Sequence, residues 1–157
     1  MKYTSLTRHI PALTADRGGE LRCTEAGRIL GPAYSDAQNA FLRDYQDYLD
    51  AIHETFTDYG SVVGEAGDKP IRDYTPRQAL AKIFSFIRGE RFCDGCLLDA
   101  FQSGEILECL YALRAYDETG GKNARDGAGA SLFARLKAKL TRNARADQSN
   151  DMGGNDR

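Results

Sequence analysis

Two four-residue stretches set where this chain must be helical. Ser35-Asp36-Ala37-Gln38 and Thr75-Pro76-Arg77-Gln78 both read as capping boxes. In each, the first hydroxyl can accept from the backbone amide three residues on, while the glutamine there reaches back to the first residue's own amide. Pro76 falls at the first helical position, where a missing N–H costs nothing. One helix therefore starts after Ser35 and another after Thr75.

The apolar spacing predicts that the first helix runs to about Asp58. At about 100° per residue, Phe41, Tyr45, Tyr48, Leu49, Ile52, Phe56 and Tyr59 fall on one face. Asp36, Asp44, Asp47, Asp50, Glu54 and Asp58 fall on the opposite one, and Arg43 lies off that acidic stripe. Like charges at helical spacing repel. The stripe is either a solvated face or an electronegative strip that docks on a basic surface, such as one built to hold nucleic acid. The second helix carries Ala79, Leu80, Ile83, Phe84 and Ile87 on one stripe and ends near Arg88, with Gly89 suited to the left-handed position beyond its end. Asp94 can cap a short helix from Gly95 to Phe101. Ser103-Gly104-Glu105 then opens another, with Ile106, Leu107, Leu110 and Leu113 inward. Residues 35–117 form the helical core unit.

Before that unit, Leu6, Ile10 and Leu13 predict a short helix over about His9 to Asp16, with Pro11 in its first turn and Gly18-Gly19 ending it. Glu20 to Thr24 and Arg28 to Leu30 alternate around Glu25-Ala26-Gly27, the pattern of a small β-hairpin that Gly31-Pro32 closes. Gly60, Gly64, Gly67 and Pro70 argue for a connector without regular helix over 60–74. Pro70 directly after Lys69 also excludes a phosphate-binding Gly-Lys-Ser/Thr loop. Residues 118–130 read as a flexible linker, 131–147 as a helix and 148–157 as a disordered tail. Leu132, Phe133, Leu136 and Leu140 form an edge of that last helix, with Arg135, Lys137, Lys139, Arg142 and Arg145 around it. The expected fold is mainly α, or α+β counting the N-terminal hairpin: a compact helical domain over 1–117 followed by a basic C-terminal helix.

Charge is distributed unevenly. Residues 122–157 hold eight Lys/Arg and four Asp/Glu, a net of +4, and the whole chain's 21 and 23 leave 13 and 19 elsewhere, a net of -6. An acidic body with a basic tail bears on partners rather than on fold. No apolar run approaches the roughly 20 residues of a membrane helix, and the N-terminus lacks the apolar stretch of a signal peptide. The expectation is a cytoplasmic protein of a bacterial host cell with no membrane partner. Four cysteines in that setting are expected to be reduced thiols.

Cys93-Asp94-Gly95-Cys96 is a CxxC motif. A redox pair wants its first cysteine at a helix N-terminus and a βαβ context, whereas a helix precedes this one. A zinc site wants a second ligand pair, and Cys23 and Cys109 lack the spacing. Structural cysteines are the favoured reading, with Cys109 in the core beside Leu110, and no metal or cofactor is expected. Arg88, Glu90 and Arg91 could be catalytic or clamp a phosphate. The favoured reading is a brace, with Glu90 paired to an arginine and the arginines on the preceding helix's last carbonyls. His9 and His53 read as surface or capping residues. No nucleophile–base pair, paired catalytic carboxylates or metal motif stands out, so no enzyme is expected. A helix-turn-helix over Gln78 to Leu113 would lack Arg, Asn or Gln in its second helix to read bases.

At Arg88-Gly89-Glu90-Arg91-Phe92-Cys93-Asp94-Gly95 the chain resembles a bacterial and phage family of domains of unknown function. In that family a helix leads into an Arg-Gly-Glu-Arg-Phe-Cys-(Asp/Glu)-Gly signature, then a Leu-rich helix and a Ser/Asn-Gly turn. Gln102-Ser103-Gly104 fits the turn, and Pro32-Ala33-Tyr34-Ser35 looks like the Pro-x-Tyr-Ser that opens the family's upstream helix. The resemblance spans about Gly31 to Tyr116 and leaves out the basic extension. Cys96 is not part of the pattern, which weakens the redox reading of the CxxC. The size and the acidic helix are also similar to anti-CRISPR proteins that block type I effector complexes. Together these imply a non-enzymatic protein of a phage or mobile element that inhibits a nucleic-acid-targeting defence complex. Asp44, Asp47, Asp50, Glu54 and Asp58 would engage a basic surface of that complex. The alternative is a nucleic-acid-binding accessory protein using the C-terminal helix, and a homodimer is open to either.

Overall fold

In the computed structural model, which describes residues 2–121, two short helices come first, α1 (Thr4–Thr7) and α2 (Ile10–Ala15). An antiparallel hairpin of β1 (Glu20–Cys23) and β2 (Ile29–Ala33) follows, then α3 (Asp36–Ala51) and α4 (Tyr59–Gly64). A 3-10 turn at Ile71–Asp73 leads to α5 (Pro76–Gly89), α6 (Cys96–Ser103) and α7 (Glu105–Glu118). The fold is mainly helical with one small hairpin. Among the described residues no helix is long and apolar enough to cross a membrane.

Both capping boxes form. Ser35 Oγ accepts from the Gln38 amide at 3.3 Å and Gln38 Oε1 from the Ser35 amide at 2.9 Å. Thr75 and Gln78 repeat the exchange at 3.3 and 3.1 Å. From α3, Phe41, Tyr45 and Leu49 point into the core, where Ile83 of α5 and Leu110 and Leu113 of α7 meet them. Burial of side chains this size is worth about 1.5–3 kcal/mol each. The Tyr45 hydroxyl donates to the Leu80 carbonyl at 2.7 Å, and burial raises its pKa. Cys109 is buried as expected, which pushes its thiol up to about 12.

Several boundaries differ from the sequence reading. The first long helix stops at Ala51, seven residues before Asp58. Its end is a Schellman motif: the His53 amide donates to the Asp50 carbonyl at 3.2 Å and the Glu54 amide to that of Leu49 at 3.0 Å. His53 takes the left-handed position (φ 53°) that glycine usually fills. The chain then folds back so that Phe56 reaches the core off the helix, 5.7 Å from the Phe84 ring. The stretch 60–74 is not irregular throughout, since α4 and the 3-10 turn lie in it. Gly60 and Gly64 sit near the ends of α4, where a flexible backbone costs least, and Val62 anchors it. Gly31 and Pro32 lie within β2 rather than after it, opposite Arg22 and Leu21. In a two-stranded sheet every strand is an edge, which tolerates proline. The N-terminal helix is preceded by the turn of α1, which the spacing did not suggest. Residues 122–157, with most of the linker, the basic helix and the tail, lie outside the described residues.

Candidate interaction surface

The last turn of α5 runs through Gly89, so this glycine is not the left-handed stop. That conformation falls to Gly95 (φ 94°), where the chain enters α6. Between them the amides of Phe92 and Cys93 both donate to the Gly89 carbonyl, at 2.8 and 3.0 Å, and the Cys96 amide to that of Cys93 at 3.1 Å. Asp94 makes no cap for α6. Glu90 does: Oε1 accepts from the Gly95 amide and Oε2 from the Leu97 amide, each at 2.7 Å. A carboxylate on the first amides of a helix is favoured by the helix dipole and by charge-assisted hydrogen bonding. Glu90 therefore braces the turn, but through the next helix and not through an arginine. With both oxygens held by backbone it is unsuited to act as a base. Among the described residues it forms no ion pair with Arg88, which is half-buried, or Arg91, which is exposed.

The expected reduced CxxC is instead a disulfide, Cys93–Cys96, with Cα atoms 5.6 Å apart. That separation lies inside the range the bond requires, and the turn supplies it. Cys23 is free and exposed, and Cys109 free and buried. Among the described residues no group of three His, Cys, Asp or Glu is arranged to hold a metal ion.

This pinned turn displays Phe92, 87% exposed. The hairpin adjoins it at Gly95, where a Cβ would stand 3.7 Å from Leu21 Cδ1. β1 and β2 pair Arg22 with Gly31 and then Cys23 with Ile29, which passes over Leu30 as a bulge. Leu30 is 62% exposed, and Leu21 and Ile29 are exposed as well. Behind the turn, the buried Tyr34 hydroxyl has its pKa raised, first by burial and then by the charge of Glu90.

The acidic stripe does not survive as a stripe. Asp44 Oδ2 accepts from Arg8 at 2.6 Å and is hydrogen-bonded to His9 Nε2. The His9 contact first, and Arg8 beside it, hold the Asp44 pKa below its ordinary value. Of the two readings of His9 the position at the cap of α2 holds, without a side-chain cap bond, and the surface one does not: it is half-buried, with its ring edge-on to Phe41 at 5.8 Å. Glu54 and Asp58 leave the helix because it ends at Ala51. Glu54 accepts from the Phe56 amide at 2.9 Å, and Asp58 pairs with Arg77 at 3.1 Å. Asp47 and Asp50 remain exposed on α3, with Asp50 accepting from Gln46 Nε2 at 2.9 Å. His53 is exposed just past the helix end. Arg135, Lys137, Lys139, Arg142 and Arg145 lie outside the described residues.

The sequence pattern does not reveal the cap made by Glu90, because a capping carboxylate normally stands beside the helix it serves, and this one stands just past the end of the helix before. The signal for Phe92 is a large apolar residue amid Arg91, Asp94 and Gly95, on no helical stripe. The model of a protein family described as a family of unknown function (DUF6508) matches residues 32–119. No curated protein and no solved structure matches the chain.

Proposed function

The chain belongs to DUF6508, a family of unknown function, and from its own surface we propose that it is a non-enzymatic protein-interaction domain anchored by Phe92. The observation that carries this reading is an almost fully exposed phenylalanine on a turn held by Glu90 and by the Cys93–Cys96 bond. An aromatic side chain placed in advance loses little conformational freedom on binding and can dominate an interface. The hairpin that adjoins the turn at Gly95 carries further exposed apolar side chains, Leu30 and Ile29. The finer proposal is that the partner is a basic, nucleic-acid-holding surface of a bacterial defence complex, which a phage or mobile-element protein would block. Asp47 and Asp50, still exposed, would steer the approach.

The test is capture by the tagged protein from a nuclease-treated bacterial lysate containing CRISPR effector and other defence complexes. Wild type is compared with Phe92→Ala and with Asp47→Lys/Asp50→Lys, and binding to the recovered complex is then titrated. The expected result is an effector subunit in stoichiometric amount. Phe92→Ala should weaken binding by about 30-fold, the roughly 2 kcal/mol of an anchor residue, with thermal unfolding unchanged. The charge reversal should weaken it less, by about 0–1 kcal/mol per position, and mainly through slower association. Undiminished binding by folded Phe92→Ala refutes the anchor. Recovery that vanishes with nuclease would instead direct attention to nucleic acid and the basic residues from Arg135 to Arg145.

A further inference from the structure

We infer that Cys93–Cys96 is a thiol–disulfide exchange site, in which Cys93 is the sulfur that exchanges with an external dithiol. Three observations support this. Cys93 is exposed while Cys96, the first residue of α6, is half-buried, so an incoming thiolate reaches Cys93. The constraint the bond supplies is also redundant. The Cys96 amide already donates to the Cys93 carbonyl at 3.1 Å, and Glu90 separately holds the amides of Gly95 and Leu97. The bond can open and close without undoing the turn or the helix. Finally, those two amides flank Cys96, so the carboxylate occupies the helix N-terminus that would otherwise stabilise a thiolate there. A negative charge at this place disfavours the Cys96 thiolate and so favours the disulfide at a pH where that thiolate would be populated.

The exchange balances with a dithiol as reductant. Its thiolate attacks Cys93 Sγ, the Cys93–Cys96 bond breaks, and Cys96 leaves with the electron pair and takes up a proton. The dithiol's second thiol then attacks its own sulfur in the mixed disulfide, closing its internal disulfide and releasing Cys93 as a thiol. Two electrons and two protons pass to the protein.

The test equilibrates the full-length protein with mixtures of reduced and oxidised dithiothreitol, traps thiols with iodoacetamide and assigns them by peptide mass. The expected result is one two-thiol transition confined to Cys93 and Cys96, with far-UV circular dichroism unchanged across it. In Cys96→Ser, Cys93 should form a mixed disulfide with oxidised glutathione at least tenfold faster than Cys96 does in Cys93→Ser. If a serine variant does not fold, Cys93 should be alkylated before Cys96 in briefly reduced wild type. Glu90→Gln keeps an acceptor and removes the charge, and at pH 10, where the Cys96 thiolate is populated, should shift the equilibrium about tenfold toward the reduced form, about 30 mV for a two-electron couple. Absence of a two-thiol transition, its coincidence with unfolding, or equal or reversed reactivity of the two cysteines overturns the inference. An unmoved equilibrium in Glu90→Gln overturns the role given to that carboxylate.

Discussion

Gln38 and Gln78 hold the same place in two capping boxes, and the fold uses them differently. Gln38 is completely buried and its amide nitrogen also donates to the Gly18 carbonyl at 2.5 Å, tying the hairpin's approach to the start of α3. Gly19 (φ 99°) allows that approach: a Cβ there would stand 2.7 Å from Leu98 Cδ1 and 2.9 Å from Gln38 Oε1. Gln78 is 7% exposed and engages Thr75 through its oxygen. Glutamate suits the capping box as well as glutamine does, so the local pattern does not separate the two sites. Burial and the Gly18 carbonyl do. Gln38→Glu would lose the donor and place a carboxylate against a carbonyl, at a cost of about 2–4 kcal/mol. Gln78→Glu should cost under about 1 kcal/mol. Urea unfolding of both variants checks this, and equal losses would mean that Gln38 is only a cap.

Elements whose signal is local were legible in the chain, and those set by tertiary context were not. The starts of α3 and α5 follow from hydroxyl and glutamine spacing alone, and the hairpin from alternation around Gly27. The end of α3 was hidden because the apolar spacing continues through Ile52 and Phe56, while the residue that turns left-handed is a histidine. Left-handed backbone costs a residue with a Cβ roughly 1–2 kcal/mol, whereas glycine loses about 0.5–1 kcal/mol through its freer unfolded chain. His53 is exposed, so the backbone difference is not offset by lost packing. His53→Gly should therefore stabilise the protein by about 0.5–1 kcal/mol, and His53→Val should destabilise it by a similar or larger amount. The check is thermal unfolding of the two variants beside wild type. The same dependence on context explains the candidate site. Exposure of Phe92 and the Glu90 cap follow from how α5 meets α6, which spacing along one helix does not encode.

At the scale of the whole molecule, the acidic residues act first as internal fastenings. The segment before the family match, which begins at residue 32, is held to the matched core by carboxylates and amides from it. Asp117 accepts from the backbone amides of Lys2 and Tyr3 at 2.9 and 2.8 Å, and Gln102 Nε2 donates to the Gly19 carbonyl at 3.2 Å. Asp44 takes Arg8 and His9 at the junction between the two N-terminal helices. Its folded pKa lies below the ordinary value of 3.8, because the hydrogen bond from His9 and then Arg8 favour the charged form. Protons therefore bind more tightly to the unfolded chain at this group. Its contribution is fully present above about pH 4 and is lost as pH falls through the lower folded value. Its side chain is 21% exposed, so the loss from Asp44→Asn at pH 7 should be modest, about 1–2 kcal/mol. The same substitution should cost less at pH 2, because below the ordinary value the unfolded chain takes up the proton first and the contribution of the lowered pKa shrinks. Asp47→Asn, on the exposed side of α3, should stay within about 0.5 kcal/mol at both values. Urea titrations at pH 7 and pH 2 on the three proteins decide the matter. If Asp44→Asn and Asp47→Asn behave alike, Asp44 belongs with the solvated face and does not fasten the N-terminal segment.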